Sequence, residues 1–298
     1  MSSAPAAEPE DPFVTHRGLL FTVAYEILGS AADAEDVLQE SWLRWDGVDR
    51  DRIQDPRAYL VRIVTRQALN LLRSVSRRRE EYVGPWLPEP LLTTADVADD
   101  VVLAESVSVA MLTVLETLGP TERAVFVLRE VFDVPFDEIA DAVGKTPAAV
   151  RQIAHRARDH VAARRPRVPV DATEHDLVVE RFIAVMNSGD VQDLMDVLAP
   201  DVVSVTDSGG LVRHAARRPL HGADRVIAFL RGSIAKLDVA YSVVPLRVNG
   251  MLAAGIRVGD DLAAAVSFAV EDGRITRVFS VANPGKLAGL DAEAPLSR

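Results

Sequence analysis

Apolar positions recur at helical spacing through the first half of the chain and at strand spacing toward its end. Over residues 13–79, Leu19, Leu20, Val23, Ile27 and Leu28 make one helical face, closed by Gly29. Ser30 or Asp33 can cap a second helix, AEDVLQESWLRW, over 34–45. GVDRDRIQDP, 47–56, is a polar loop. A third helix runs on from Arg57, with Tyr59, Leu60, Ile63, Val64, Leu69 and Leu72 as its apolar positions. Residues 82–100 form a linker whose GPWLPEPL stretch carries three prolines that forbid a helix. Residues 101–130 predict two helices, the second entered at Pro120 with Thr121 as its cap.

Residues 136–165 have the pattern of a helix-turn-helix. Ile139 and Val143 share one face, and Val150 and Ile153 repeat the spacing on a second helix. Ala140 is small where the helices cross. Gly144 stands where the turn needs positive φ, Thr146 can cap the second helix, and Pro147 suits its first turn. From 145 to 167 there are seven Lys/Arg and one acid, a local charge of +6. Such a helix in a major groove contacts base edges with its N-terminal half and phosphates with its arginines. Thr146, Ala148, Arg151, Gln152, His155, Arg156 and Arg158 are the candidate contacts.

After RRPRVPVDAT, 164–173, the texture changes. Val178, Val179, Phe182, Ile183 and Met186 mark an amphipathic helix, and Gly189 and Asp190 begin a second that ends at Pro200. A strand over 202–206, a turn at 208–210, a short irregular strand and a helix over 223–234 follow. About four strands then remain, joined by the hairpin signals Asn249-Gly250 and Asp272-Gly273. This order fits one curved antiparallel sheet wrapped round helices and enclosing a cone-shaped pocket.

Composition narrows the picture. With 298 residues the chain is long enough for two or three domains. Its net charge of −11 requires any nucleic-acid surface to be local. The stretch 96–143 holds eleven acids and two arginines, an acidic scaffold behind a basic helix. There is no Cys, which excludes disulfides, zinc fingers and thiol catalysis. No apolar run reaches membrane-spanning length, and the Pro/Ala-rich start lacks a signal-peptide core, so a cytoplasmic protein with no membrane partner is expected.

Both N-terminal modules resemble the extracytoplasmic-function sigma factors of bacterial RNA polymerase, over 13 to about 165. The residues 34–45 look like that family's polymerase-clamp helix, with Asp36, Gln39 and Glu40 on its docking face. DPRAYLVRIVTRQALNLLRS, 55–74, resembles the segment that reads and melts the minus-ten element. Trp42, Arg44, Trp45, Arg57, Tyr59, Arg62, Arg66 and Asn70 are its candidate contacts, and loop 47–56 is the expected seat of specificity. Trp42 and Trp45 are open to two readings: core packing, or a platform for unstacked bases. Residues 119–144 resemble the minus-thirty-five module.

The C-terminal part resembles the SnoaL-like branch of the NTF2-like fold. The implied fold is therefore two all-α sigma modules followed by an α+β NTF2-like cone-shaped domain. The implied divisions are a leader (1–12), domain two (13–80), linker (81–100), domain four (101–165), hinge (166–173), regulatory domain (174–290) and tail (291–298). Sigma factors with this tail carry WLPEP, DGGGK-like and NPDKL-like marks, which here read WLPEP (86–90), DSGGL (207–211) and NPGKL (283–287). They nominate Trp86, Leu87, Pro88, Asp207, Gly209, Gly210, Asn283, Pro284 and Lys286 as interdomain regulatory residues. The partners implied are core RNA polymerase and promoter DNA, with modulation in cis and no dedicated anti-sigma protein.

A cone of this kind can also hold a small ligand or an acid–base pair. The candidates are Asp207, His214, His221, Asp190 and His175, with His175 expected to be exposed and Asp207 to serve a turn. No paired spacing points to catalysis, and no metal-ligand cluster or cofactor motif is present, so a protein-contacting regulatory domain leads. The alternative is a stand-alone DNA-binding regulator with a ligand-binding or catalytic tail.

Overall fold

The structure is a computed structural model that describes residues 11–94, 97, 100–164, 172–213, 215–237 and 239–298, without the side chains of 76–80 and 191. Domain two consists of α1 (Pro12–Thr15), α2 (Arg17–Leu28), α3 (Ala31–Asp46) and α4 (Pro56–Glu80). α2 is buried from Leu19 through Leu28, as a helix packed on all sides must be. Gly29 stops it in the left-handed conformation (φ 70°), and a Cβ there would lie 2.8 Å from Trp86 of the linker. Ser30 caps α3 by accepting from the Asp33 amide. The Asp55 carboxylate accepts from Ala58 N at the start of α4.

Domain four holds α5 (Val101–Val107), α6 (Val109–Leu115), α7 (Pro120–Phe126), α8 (Phe136–Val143) and α9 (Pro147–Ala162). The cap of α7 is Gly119, not Thr121: Pro120 takes the first helical position, and the Glu122 carboxylate accepts from the Gly119 amide. α7 runs into a π turn over Val127–Val131. In the helix-turn-helix, Gly144 has φ 68° and the Thr146 hydroxyl accepts from Ala149 N, as expected. Most of the hinge lies outside the described residues.

The C-terminal domain comprises α10 (Ala172–Ser188), β1 (Leu198–Asp207), β2 (Leu220–His221), α11 (Ala223–Ile234), β3 (Tyr241–Val248), β4 (Met251–Val258), β5 (Asp261–Glu271), β6 (Arg274–Val281) and α12 (Pro284–Leu287). The sheet order is β2-β1-β6-β5-β4-β3. It is mixed, not wholly antiparallel: β1 runs parallel to β6, and α11 and four strands, β2–β5, intervene before the chain returns beside it. The helix expected to end at Pro200 is instead a short 3-10 turn, Val191–Asp196. Pro200 lies inside β1, where the register with β6 slips between Leu198 and Val203, so its missing N–H costs no ladder bond. Asn249-Gly250 and Asp272-Gly273 are both left-handed, which fits the two hairpin turns.

One apolar core runs through domains two and four, from Phe13 to Val161. A second lies between α10, α11 and the sheet, where Phe182 and Phe268 rings stand 4.8 Å apart. The opposite face of the sheet is also covered: Leu87 and Val109 pack on Ala269, Phe279 and Val281. The linker therefore serves as a floor for the C-terminal domain.

Candidate nucleic-acid and interdomain interfaces

α9 buries Val150, Ala154, Ala157 and Val161 and turns the intervening positions outward. Thr146, Ala148, Arg151, Gln152, His155 and Arg156 are exposed. The Arg151 guanidinium sits 5.6 Å from the centre of the Phe136 ring, so α8 helps hold it in place. His155 pairs with Asp159 at 3.1 Å. Arg158 differs from its neighbours: it forms a forked ion pair with Glu130, at 2.7 and 3.3 Å, that ties α9 to the π turn.

On α3, Asp36, Gln39 and Glu40 are exposed on one side, and Leu43, one heptad beyond Asp36, joins them at 63 % exposure. The sequence reading missed Leu43, although its spacing was visible. Glu40 and Arg44 pair along the helix at 3.1 Å. The two tryptophans separate. Trp45 is 1 % exposed, its Nε1 donates to Asp11 at 2.9 Å and its ring packs near Tyr59, so in this fold it is a core residue and cannot be a base platform. Trp42 is half-buried, edge-on to Phe13 at 5.1 Å.

Arg57 and Asn70 are exposed, and Arg62 lies over the Tyr59 ring at 5.0 Å. Arg66 donates to the Asp141 backbone oxygen of α8 at 2.6 Å. Loop 48–55 with Ala58, Tyr59 and Arg62 faces Glu138 and Asp141 across a cavity of about 670 Å³. Domain four thus packs over the face on which the minus-ten contacts were expected.

The linker mark and the two C-terminal marks meet in one cluster. Asp207 is fully buried, and its carboxylate accepts from Tyr82 Oη (2.6 Å), Leu87 N (2.9 Å), Lys286 Nζ (2.7 Å) and Gly209 N (3.2 Å). These partners give Asp207 far more than the turn role expected of it. Lys286 also donates to Leu87 O and lies 4.0 Å from the Trp86 ring centre. Asn283 Nδ2 donates to Tyr82 Oη (2.7 Å), and its Oδ1 caps α12 at Gly285 N. Burial first, then the bond to Asp207, pushes the Tyr82 hydroxyl up. Gly209 and Gly210 have positive φ, and a Cβ on either would come within 2.7 Å of Asn283 or Val83. Pro88 is buried and Pro284 is exposed in the first turn of α12. Leu211, which replaces the lysine of the DGGGK mark, points to solvent at 71 % exposure, and the cation beside Asp207 is Lys286 instead.

A second joint was invisible in the sequence. Asn249, at the β3–β4 hairpin tip, is fully buried. Its Oδ1 accepts from Leu91 N (2.9 Å), while Nδ2 donates to Tyr25 Oη of α2 (2.7 Å) and to Val107 O of α5 (2.8 Å). One side chain therefore bonds domain two, the linker and domain four. Next to it the linker adds itself to the sheet edge, Leu92 bridging Val248 on one side and Glu293 on the other. The segment beyond continues onto domain two: Leu296 enters its core and Ser297 N donates to Thr22 Oγ1 at 3.1 Å. Glu89 of the WLPEP mark accepts from Ser30 Oγ (3.2 Å) and Ala31 N (2.9 Å), which seats the linker on the start of α3.

The acid–base candidates do not converge. His175 is buried at 2 % exposure, against expectation, because α10 packs its first turns on the sheet; burial pulls its pKa down, opposed by Asp176 at 3.3 Å. His221 is exposed on β2, Asp190 caps the 3-10 turn, and Asp207 is committed to the linker. His214 lies outside the described residues. Among the described residues no group of three or more metal-ligating side chains comes together, and no helix is long and apolar enough to cross a membrane.

A helix-turn-helix module joined to a second helical module, with an α+β domain docked on their linker, defines a promoter-recognition protein with an attached accessory domain. Residues 13–78 match Sigma-70 region 2, residues 108–161 match Sigma-70 region 4, and residues 179–278 match the SnoaL-like domain. The chain is 40% identical over 290 residues to the ECF RNA polymerase sigma factor SigJ of Mycobacterium tuberculosis, covering 93% of this chain and 92% of the relative. It is 34% identical over 283 residues to the probable ECF sigma factor SigI of the same organism, covering 93% and 94%. The crystal structure of SigJ superposes with a TM-score of 0.74 at 37% identity, covering 94% of this chain and 98% of that one. The chain belongs to the extracytoplasmic-function sigma factors with a SnoaL-like C-terminal domain, and is a promoter-directing transcription initiation factor.

Proposed function

We propose that the C-terminal domain regulates initiation in cis by holding domains two and four closed on each other. The buried Asn249 tip, bonded to both modules and to the linker, carries this reading. The two promoter elements named minus ten and minus thirty-five lie about 25 base pairs apart, on the order of 85 Å of B-form duplex. Here α8 touches α4 through Arg66, and α9 follows α8 after a short turn. α8 lies between the recognition helix and α4, so recognition helix and minus-ten face are separated by two helix-packing distances, about 20 Å. Engaging both elements requires domain four to leave domain two.

Within this reading, Asp36, Gln39, Glu40 and Leu43 dock on core RNA polymerase. Arg57, Tyr59, Arg62, Arg66 and Asn70 meet the minus-ten element after opening, with Trp42 and Arg44 at the edge of that surface. Thr146, Ala148, Arg151, Gln152, His155 and Arg156 face the minus-thirty-five duplex. Arg158 joins them only by leaving Glu130. Melting costs about 1.4 kcal/mol per base-pair step, and each base stacked on an aromatic returns roughly 1–3 kcal/mol.

The test is run-off transcription with purified core RNA polymerase on promoters selected from a random library. Asn249→Gly in the full chain should change transcript yield at the same start sites. Arg151→Ala should weaken promoter use without lowering polymerase affinity. No start from any promoter, combined with tight duplex binding by the protein alone, would replace this reading with that of a stand-alone DNA-binding regulator.

A further inference from the structure

Glu26 stands in the middle of α2 with its side chain fully buried at the junction with domain four. Ser106 Oγ of α5 lies 2.8 Å from Glu26 Oε1 and 2.9 Å from Leu103 O. A hydroxyl has one hydrogen to donate. Ser106 is the donor in both contacts, so Glu26 Oε1 receives at most one hydrogen, shared with Leu103 O, which is too little to hold a buried carboxylate and favours the neutral carboxyl. The charge balance agrees. Arg123 of α7 reaches the site, but its Nε donates to the Glu26 backbone oxygen at 2.7 Å and its Nη1 is paired with the Glu116 carboxylate. Glu116 thus balances that guanidinium, and an ionised Glu26 would add an unmatched buried charge. Its second oxygen, Oε2, has no hydrogen-bond partner, which costs a carboxylate more than a neutral carboxyl.

We infer that Glu26 is a proton-loaded latch between domains two and four: the neutral carboxyl bridges α2 to Ser106, and loss of its proton favours separation of the modules. This rests on the reading that initiation requires separation.

Burial, opposed by the Ser106 bond and by Arg123, pushes the Glu26 carboxyl up to about 8. Once the modules part, the group is solvated and titrates near its ordinary value of about 4.3. Below that value both forms are protonated and the closed form keeps its full advantage. Between the two values the closed-to-open ratio falls about tenfold per pH unit, and above the higher value it levels off. Acid therefore tightens the junction and alkali loosens it. The other charged or titratable groups around it are Arg123 and Glu116 of domain four, Tyr25 beside it on α2, and Glu89 of the linker, whose backbone oxygen accepts from Tyr25. Burial drives the Tyr25 hydroxyl upward, so it stays neutral through this range.

Because the chain has no cysteine, one thiol introduced as Val107→Cys, fully buried in α5, would report opening by its rate of modification, corrected for thiolate content. With Glu26 present the corrected rate should rise about tenfold per unit from pH 5.5 to pH 7 and level off above pH 8. With Glu26→Gln, whose amide oxygen still accepts from Ser106, it should stay flat. Equal pH dependence in both, or none in either, would overturn the latch. A carboxyl 13C titration of the otherwise native chain decides independently of whether the Gln variant folds. A Glu26 resonance titrating above pH 7 supports the latch, and one in the ordinary carboxylate range sinks it. Run-off transcription tests the sigma reading separately, so either idea can fail while the other stands.

Discussion

Removing the Asn249 side chain should undock the C-terminal domain while leaving that domain folded. Asn249→Gly suits the test because the residue has φ 54°, which glycine adopts freely and alanine adopts at a cost of about 1–2 kcal/mol. The substitution strands two buried backbone groups, Leu91 N–H and Val107 C=O. Tyr25 Oη keeps its bond to Glu89 O at 2.6 Å and loses little. Each stranded group costs about 1–3 kcal/mol, less when water reaches it, so a loss of about 3 kcal/mol is reasonable. That is on the order of a hundredfold in the docking equilibrium. The loss falls on docking because all three side-chain partners belong to other segments of the chain. Amide exchange separates docking from folding. Protection at Leu91 and at Thr93, which donates to Arg247 O, should fall about a hundredfold, while the β5–β6 amides keep theirs. An equal fall in β5 and β6 would mean that the turn stabilises the domain itself. Unchanged protection at Leu91 would mean that the tip contact contributes nothing. Either result would refute the joint.

Two further outcomes test other parts of the structure. Lys286→Met should destabilise the protein by about 3–5 kcal/mol in urea unfolding, because it leaves the buried Asp207 carboxylate without its cation; the double variant with Asp207→Asn should lose clearly less than the sum of the singles. His175 is held neutral by burial, so its folded pKa lies below the unfolded value, and its contribution is present above about pH 6.5 and fades as pH falls below it. Thermal melts at pH 7.5 and 5.5 should therefore show a smaller drop for His175→Leu than for the native chain, and equal drops would refute the assignment.

Much of the architecture was legible because its signals are local. Gly144, Thr146 and Pro147 mark the helix-turn-helix within four residues, and each acts on backbone atoms one to four positions away. The Asn249-Gly250 and Asp272-Gly273 turns were visible for the same reason. One miss was local: Thr121 lost the cap because Pro120 takes the first helical position and the Glu122 carboxylate accepts from the Gly119 amide. Other errors arose where a distant partner decided the outcome. Trp45 has the composition of a base platform, yet Asp11, 34 residues away, and Tyr59 draw it into the core. His175 reads as a polar residue at the start of a helix, and only the docking of that helix on the sheet buries it.

The chain's own pattern determined the elements and the class of protein: two helical modules, a basic helix on an acidic chain, and an α+β domain behind a proline-rich linker. Turn chemistry, capping and hydrophobic period act over a few residues, so they are written where they act. Tertiary structure alone decided which surfaces are open and which polar atoms are joined. Tyr82 meets Asp207 across 125 residues, Leu91 meets Asn249 across 158, and Asn249 meets Tyr25 across 224. An asparagine at a hairpin tip has the same local reasons to be there whether its amide faces water or three other segments. Only the burial of that tip, when the domain closes on the linker, turns a common turn residue into the joint of the molecule.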